Sequence, residues 1–340
     1  MDQNSDIKKV LVFCQAPADI QYVIALYEKY HKTTTLSVYC INVEAMYLFL
    51  KALNLELSEL VFIPSCLVNF KNPRKLIVEK LRLNHLYQKH IKKKEGYEIY
   101  FFSIWHDWLT FYFIGKFKKN NKVFFLKHYL GVSEHSRKPI GIKEKLLLFV
   151  YKYLTNFKLK YLENNTNSVL LLPYYNLDIK RVSFKINDIE LPNKYLYKLN
   201  NVGSNTVLLL ESNLTSLGII NNYLLKTIEV LKKLKSNKCQ IFLKGHPRIG
   251  HSEEINSYID VFIPSYIPAE FIDISSVKYV FGLLSLPLAI YANKHHNVYS
   301  FIDDYDFISN EVKMDYKNYL IANSNNKIKF TSIIQDGLIC

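Results

Sequence analysis

Three nitrogen-bearing side chains fall within five residues in Lys244-Gly245-His246-Pro247-Arg248. An imidazole between two cations is suited to holding a phosphate and to stabilising charge on it. Farther along the chain come Pro268 with Glu270, and then Gly282 with Ser285. A carboxylate held at Glu270 can accept both hydroxyls of a ribose. Ser285 stands before an apolar run, where a hydroxyl and helix N-terminal amides favour an anion. Each piece alone has an ordinary reading: a solvated turn, a first-turn carboxylate and an N-cap. In this order they describe the phosphate and sugar contacts of one nucleotide.

Such residues need strands that end just before them. Ile241, Phe242 and Leu243 form an apolar run with strand character, and the glycine and proline that follow stop it. Similar runs predict strands over 9–14, 36–41, 60–64, 98–104, 122–126 and 169–173. A second series covers 206–210, 239–243, 260–264, 277–281 and 297–302. Helical patterns lie between them, including 73–94, 143–154, 219–234, a short one over 268–274, and one ending near Asn293. Alternating strands and helices imply doubly wound parallel sheets. The mixed-polarity segment 178–203 reads as a connection. It separates a domain over 1–185 from one over 200–340. The architecture expected is two Rossmann-like halves facing a central cleft, with ligands outside the carboxyl ends of the strands. Neither a GxGxxG nor a P-loop signature occurs.

The composition is that of a globular chain: 340 residues, 49% hydrophobic, with only 10 Gly and 10 Pro. The net charge of +14 suits polyanionic partners, whether anionic lipid, nucleic acid or an acidic glycan or nucleotide. The five cysteines are scattered without metal spacing and read as buried thiols of a reducing cytoplasm. No metal site is expected. No signal peptide is visible and no run reaches transmembrane length; the run 146–154 is too short and carries Lys152.

The order KxHPR, then IPxE, then GxxS before an apolar helix resembles the bacterial sialyltransferases and polysialyltransferases. The opening LVFCQAPADIQYVIAL is similar to their first strand, turn and helix. The resemblance implies a GT-B fold and transfer of sialic acid or a related nonulosonic acid. The donor would be CMP-activated, the acceptor a capsule or lipooligosaccharide glycan, and no cofactor would be needed. It assigns His246 to the CMP phosphate and its departure, Glu270 to the ribose and Ser285 to the phosphate. Lys244, Gly245, Pro247, Arg248, Pro268 and Gly282 fall in the same motifs. This chain departs from the family in having Leu284-Ser285-Leu286 where paired hydroxyls are usual.

The family's general base lies in a motif of two acidic residues and a glycine, which this chain lacks. Glu134 in GVSEHSRK is the preferred replacement, because it comes from the first half, and Glu211 in LLLESN is the other. His135, and Asp107 with His106, are further candidates. The implied reaction is an inverting, metal-independent displacement, placed in the cytoplasm and at the inner face of an anionic membrane. Polyol-phosphate transfer from CDP-glycerol, or a UDP-sugar GT-B enzyme, are the competing enzyme classes. No helix-turn-helix, RRM or zinc signature supports a nucleic-acid partner.

Overall fold

Runs of consecutive apolar residues make strands buried on both faces, which helices must then cover. The computed structural model shows this pattern twice. It describes residues 8–31, 33–64, 73–102, 108–116, 120–127, 136–137, 141–155, 158–162, 170–174, 179–183, 191–212, 218–247 and 249–336. The chain divides into two compact units, Met1–Ile189 and Glu190–Cys340.

The first unit runs β1 (Lys8–Cys14), α1 (Asp19–Tyr30), β2 (Thr34–Ile41), α2 (Glu44–Ala52), β3 (Glu59–Ile63), α3 (Pro73–His90), β4 (Tyr97–Phe101), α4 (Trp108–Lys116) and β5 (Lys122–Lys127). It continues with β6 (Ser136–Arg137), α5 (Gly141–Thr155), β7 (Lys158–Leu162), β8 (Leu170–Tyr174) and β9 (Ile179–Ser183). Six strands form one parallel sheet in the order β3-β2-β1-β4-β5-β9. Leu11, Phe13, Tyr39, Ile99, Phe101 and Phe113 are buried in its core. Asp19 fixes the first turn by accepting from the Gln15 and Ala16 amides at 2.7 and 2.8 Å. Gln15 in turn accepts from the Phe102 amide at 3.1 Å, joining the ends of β1 and β4.

The second unit runs β10 (Thr206–Leu210), β11 (Ile220–Asn221), α6 (Tyr223–Ser236), β12 (Gln240–Lys244), β13 (Val261–Phe262), β14 (Tyr279–Gly282), α7 (Leu286–Ala292) and β15 (Val298–Ser300). It ends with β16 (Asp306–Phe307), α8 (Asn310–Asn323), β17 (Lys329–Phe330) and α9 (Ile333–Asp336). Its parallel sheet has the order β13-β12-β10-β14-β15-β17. Counted within each unit, both sheets follow the Rossmann strand order 3-2-1-4-5-6. The chain is therefore two Rossmann-like α/β units.

Several elements differ from the sequence expectation. The strand expected over 169–173 is β8, and it joins β6 and β7 in a separate antiparallel sheet. The sixth strand of the parallel sheet is β9, inside the segment read as a connection. Its sequence IKRVS mixes charge with apolar residues, as an edge strand can. The helix expected from 219 begins at Tyr223, because Asn222 is left-handed (φ 54°) and Ile220–Asn221 pair with Asp306–Phe307. The helix expected over 268–274 is a single 3-10 turn, Ala269–Phe271. The Tyr197 amide takes the Phe271 carbonyl at 2.7 Å, so the chain extends instead of coiling further. Among the described residues no helix is long and apolar enough to cross a membrane.

Leu209 lies at the centre of the second core and is 1% exposed. Leu209→Ala is expected to cost about 2–5 kcal/mol and to lower the urea midpoint accordingly. An unchanged midpoint would mean that this sheet does not limit the stability of the chain.

Candidate site at the carboxyl edge of the second sheet

In an open α/β sheet the crevice for a ligand lies where the strand order reverses, outside the carboxyl ends. Here that point is between β10 and β14. Leu210 of β10 stands opposite Lys244 on one side and Gly282 on the other. The chain therefore leaves three neighbouring strands at one level. It leaves as Glu211-Ser212, as Gly245-His246 and as Leu283-Leu284-Ser285. The Glu211 amide donates to the Lys244 carbonyl at 3.0 Å, closing the row.

After β12 the chain makes a tight reversal. His246 and Gly250 exchange both backbone hydrogen bonds, at 2.9 and 2.8 Å. A Cβ on Gly245 would stand 3.2 Å from the Gly250 backbone and 3.3 Å from His251 Nδ1, so a side chain crowds the turn. His246 and Pro247 are half-buried at its tip. Lys244 itself is buried. Its Nζ donates to the Gly245 carbonyl at 2.7 Å and to the Ser265 carbonyl at 3.2 Å. Two of its three protons thus tie the turn to the segment leading to Pro268.

Pro268 and Glu270 are buried, and Glu270 sits within the 3-10 turn. The Tyr291 hydroxyl of α7 donates to the Ala269 carbonyl, and to the Ile272 carbonyl at 3.3 Å, holding that turn against the helix. Burial raises the Glu270 carboxyl, against its own backbone hydrogen bond and the attraction of Lys244 and Lys294. Burial lowers Lys244 to about 8, opposed by Glu270. Desolvation outweighs mutual attraction on both partners, as expected for charges taken out of water.

Gly282 ends β14 where a Cβ would meet Leu210 and Leu288 at 3.3 Å. Ser285 caps α7 by position, without a side-chain capping bond. Its hydroxyl and that of Ser212 are buried without a hydrogen-bond partner among the described residues. Such groups cost about 1–3 kcal/mol each unless a polar group satisfies them. Ser212 was not singled out by the sequence, where it follows Glu211 in an ordinary strand end. Glu211 is buried and accepts from the Tyr223 hydroxyl at 2.8 Å. Burial, then the Glu211 charge, holds the Tyr223 phenol well above its usual range, so it remains a donor. No local pattern announces Tyr223, Tyr291 or the Ser265 carbonyl, whose contacts are long-range.

The row thus gathers Lys244, Gly245, His246, Pro247, Glu211, Gly282 and Ser285 at one edge, with Pro268 and Glu270 tied to it through Lys244. Arg248, Glu134, His135, His106 and Asp107 lie outside the described residues. Among the described residues no group of three or more His, Cys, Asp and Glu is placed to hold a metal.

No protein-family model matches this chain, and no curated protein does. Among solved structures, the chain is similar to the glycotransferase of kitacinnamycin at 7% identity. That match has a TM-score of 0.49 over 96% of this chain and 86% of the other. A sialyltransferase GT-B domain from Photobacterium damselae matches at 12% identity and TM-score 0.43, over 95% and 99%. UDP-N-acetylglucosamine 2-epimerase from Rickettsia bellii matches at 10% identity and TM-score 0.42, over 85% and 77%. The fold assignment follows from the chain's own strand order.

The folded chain releases the Lys244 proton near pH 8, whereas the unfolded chain keeps it to about 10.5. Across that window the unfolded state binds more protons, so this group's contribution to stability rises with pH. From about pH 7 to about pH 10, wild type is expected to gain unfolding free energy relative to Lys244→Met. A difference that stays flat would show that the ammonium is not desolvated.

Proposed function

We propose that this chain is a GT-B-type glycosyltransferase that uses a nucleotide-activated sugar, with a CMP-activated nonulosonic acid as donor and a glycan hydroxyl as acceptor. One observation supports this reading above the others. The switch point of the second Rossmann-like unit brings an imidazole turn, two buried hydroxyls without a partner among the described residues, and a tethered carboxylate to one sheet edge. These are the groups that a nucleotide phosphate and a ribose require.

In the proposed reaction the acceptor oxygen attacks the anomeric carbon as its bond to the CMP phosphate breaks. A carboxylate takes the acceptor proton, and Glu134 is proposed for this part. His246 protonates the departing phosphate, Ser285 donates to it, and Glu270 holds the ribose. Lys244 acts by fixing the turn that carries His246, through the Gly245 and Ser265 carbonyls. Glu211, engaged by Tyr223, braces the neighbouring strand end. The reading calls for no metal, because protein donors neutralise the leaving group.

A ligand that binds only the folded form raises its stability, by about 2.7 kcal/mol at 100 times Kd. CMP is expected to raise the melting temperature by roughly 5 °C or more at such excess, with little response to UMP or CDP-glycerol. Stabilisation by UMP alone would move the donor to a UDP-sugar, and no response to any nucleotide would end the reading. His246→Ala is expected to lower transfer at least about a hundredfold. Glu134→Gln should keep CMP binding and lose turnover. Loss in Glu211→Gln instead would place the base there.

A further inference from the structure

Soluble chains rarely leave large apolar residues exposed side by side, and a patch of them marks a docking surface. On α5, Ile142, Leu146, Phe149 and Tyr153 are 85, 60, 67 and 42% exposed. At 3.6 residues per turn these four positions share an arc of about 60°, so they form one stripe along the helix. On α3, Ile77, Val78 and Leu81 are 53, 61 and 65% exposed. The two helices pack together, and Lys80 Nζ sits 4.0 Å from the centre of the Tyr153 ring. Tyr153 of the α5 stripe thus reaches the turn of α3 that carries Ile77, Val78 and Leu81.

The charge around them is mainly basic. Among the described residues of α3 and α5, each exposed side chain with a fixed charge is a lysine; just past α3, Lys92 and Lys93 are exposed and so is Glu95. The helix lysines are Lys89 on α3, and Lys143, Lys145 and Lys152 on α5. Glu79 and Glu144 are only half-exposed. On the helical wheel Lys145 and Lys152 flank one side of the apolar stripe and Lys143 the other.

We propose that this face docks on an anionic lipid bilayer, with the α5 stripe and the Ile77–Leu81 end of α3 in the headgroup boundary. The lysines would contact the acidic headgroups. A helix with an apolar stripe and a lysine-rich polar side lies in the interface plane. Neither helix is apolar enough to span. A second copy of the chain fits poorly, because a two-fold interface sets the same patch against itself and would face lysine with lysine. The inference stands independently of the glycosyl-transfer reading.

Co-sedimentation of the full chain with phosphatidylcholine vesicles, with and without phosphatidylserine, tests it. Binding is expected only with phosphatidylserine and should weaken as salt is added. Lys145→Glu with Lys152→Glu should weaken partitioning by about fivefold or more for each lysine. Leu146→Ser with Phe149→Ser should abolish it, and Leu225→Ser, exposed on the other unit, should not change it. Unchanged melting temperatures would show that the variants fold. The proposal is overturned if phosphatidylserine vesicles do not bind, or if they bind the helix variants as well as wild type. Self-association of wild type that Phe149→Ser abolishes, without lipid binding, would equally overturn it.

Discussion

The parallel ladder of β12, β10 and β14 is the constraint on which the candidate site depends. A parallel sheet obliges each crossover to return over one face, so every strand delivers its carboxyl end to the same edge. Leu210, Lys244 and Gly282 stand in one row, and the residues that follow them must emerge together. Gly282 permits the close approach to Leu210 and Leu288 that this row demands. The apolar side chains behind it, Leu209, Leu243 and Phe281, contribute the burial that holds the register. Polar residues spread over some seventy-five positions of sequence therefore share a few strand ends.

Electrostatics at that edge are dominated by loss of water. Lys244 and Glu270 are both buried, and each is displaced toward its neutral form even though they attract one another. Folding tolerates such a pair because Lys244 also donates to two backbone carbonyls and the turn around Glu270 is held by Tyr291. The same low dielectric strengthens any interaction with an incoming phosphate. In the proposed function, the desolvated lysine fixes the His246 turn through its two carbonyl acceptors, and the buried carboxyl is Glu270 itself.

Much of this was legible in the sequence, and the reason is physical. Strands buried on both faces must be apolar throughout, so runs such as VLLL before Glu211 and IFL before Lys244 declare themselves. Turn chemistry declared the stops, as at Gly245 and Pro247. Edge strands carry no such signature: β9, with Lys180 and Arg181, falls in the segment that reads as a connection, and β17 falls beyond the last predicted strand. The 3-10 turn at Ala269–Phe271 reads as a longer helix in the sequence, since the pairing with Tyr197 that ends it is long-range. For the same reason neither the Ser265 anchor for Lys244 nor the Tyr223 partner for Glu211 could be found by spacing. Ser212 was hidden differently, because a serine beside a glutamate is common and only its burial distinguishes it.

The central claim is that one nucleotide contacts several strand ends of the second unit at once. Hydrogen exchange measured along the chain, with and without saturating CMP, tests it most directly. The account predicts slowed exchange at amides 211–212, 245–250, 269–271 and 283–288 together, with the remaining amides of that unit little changed. Protection of only one of these segments, or protection confined to other parts of the chain, would contradict it.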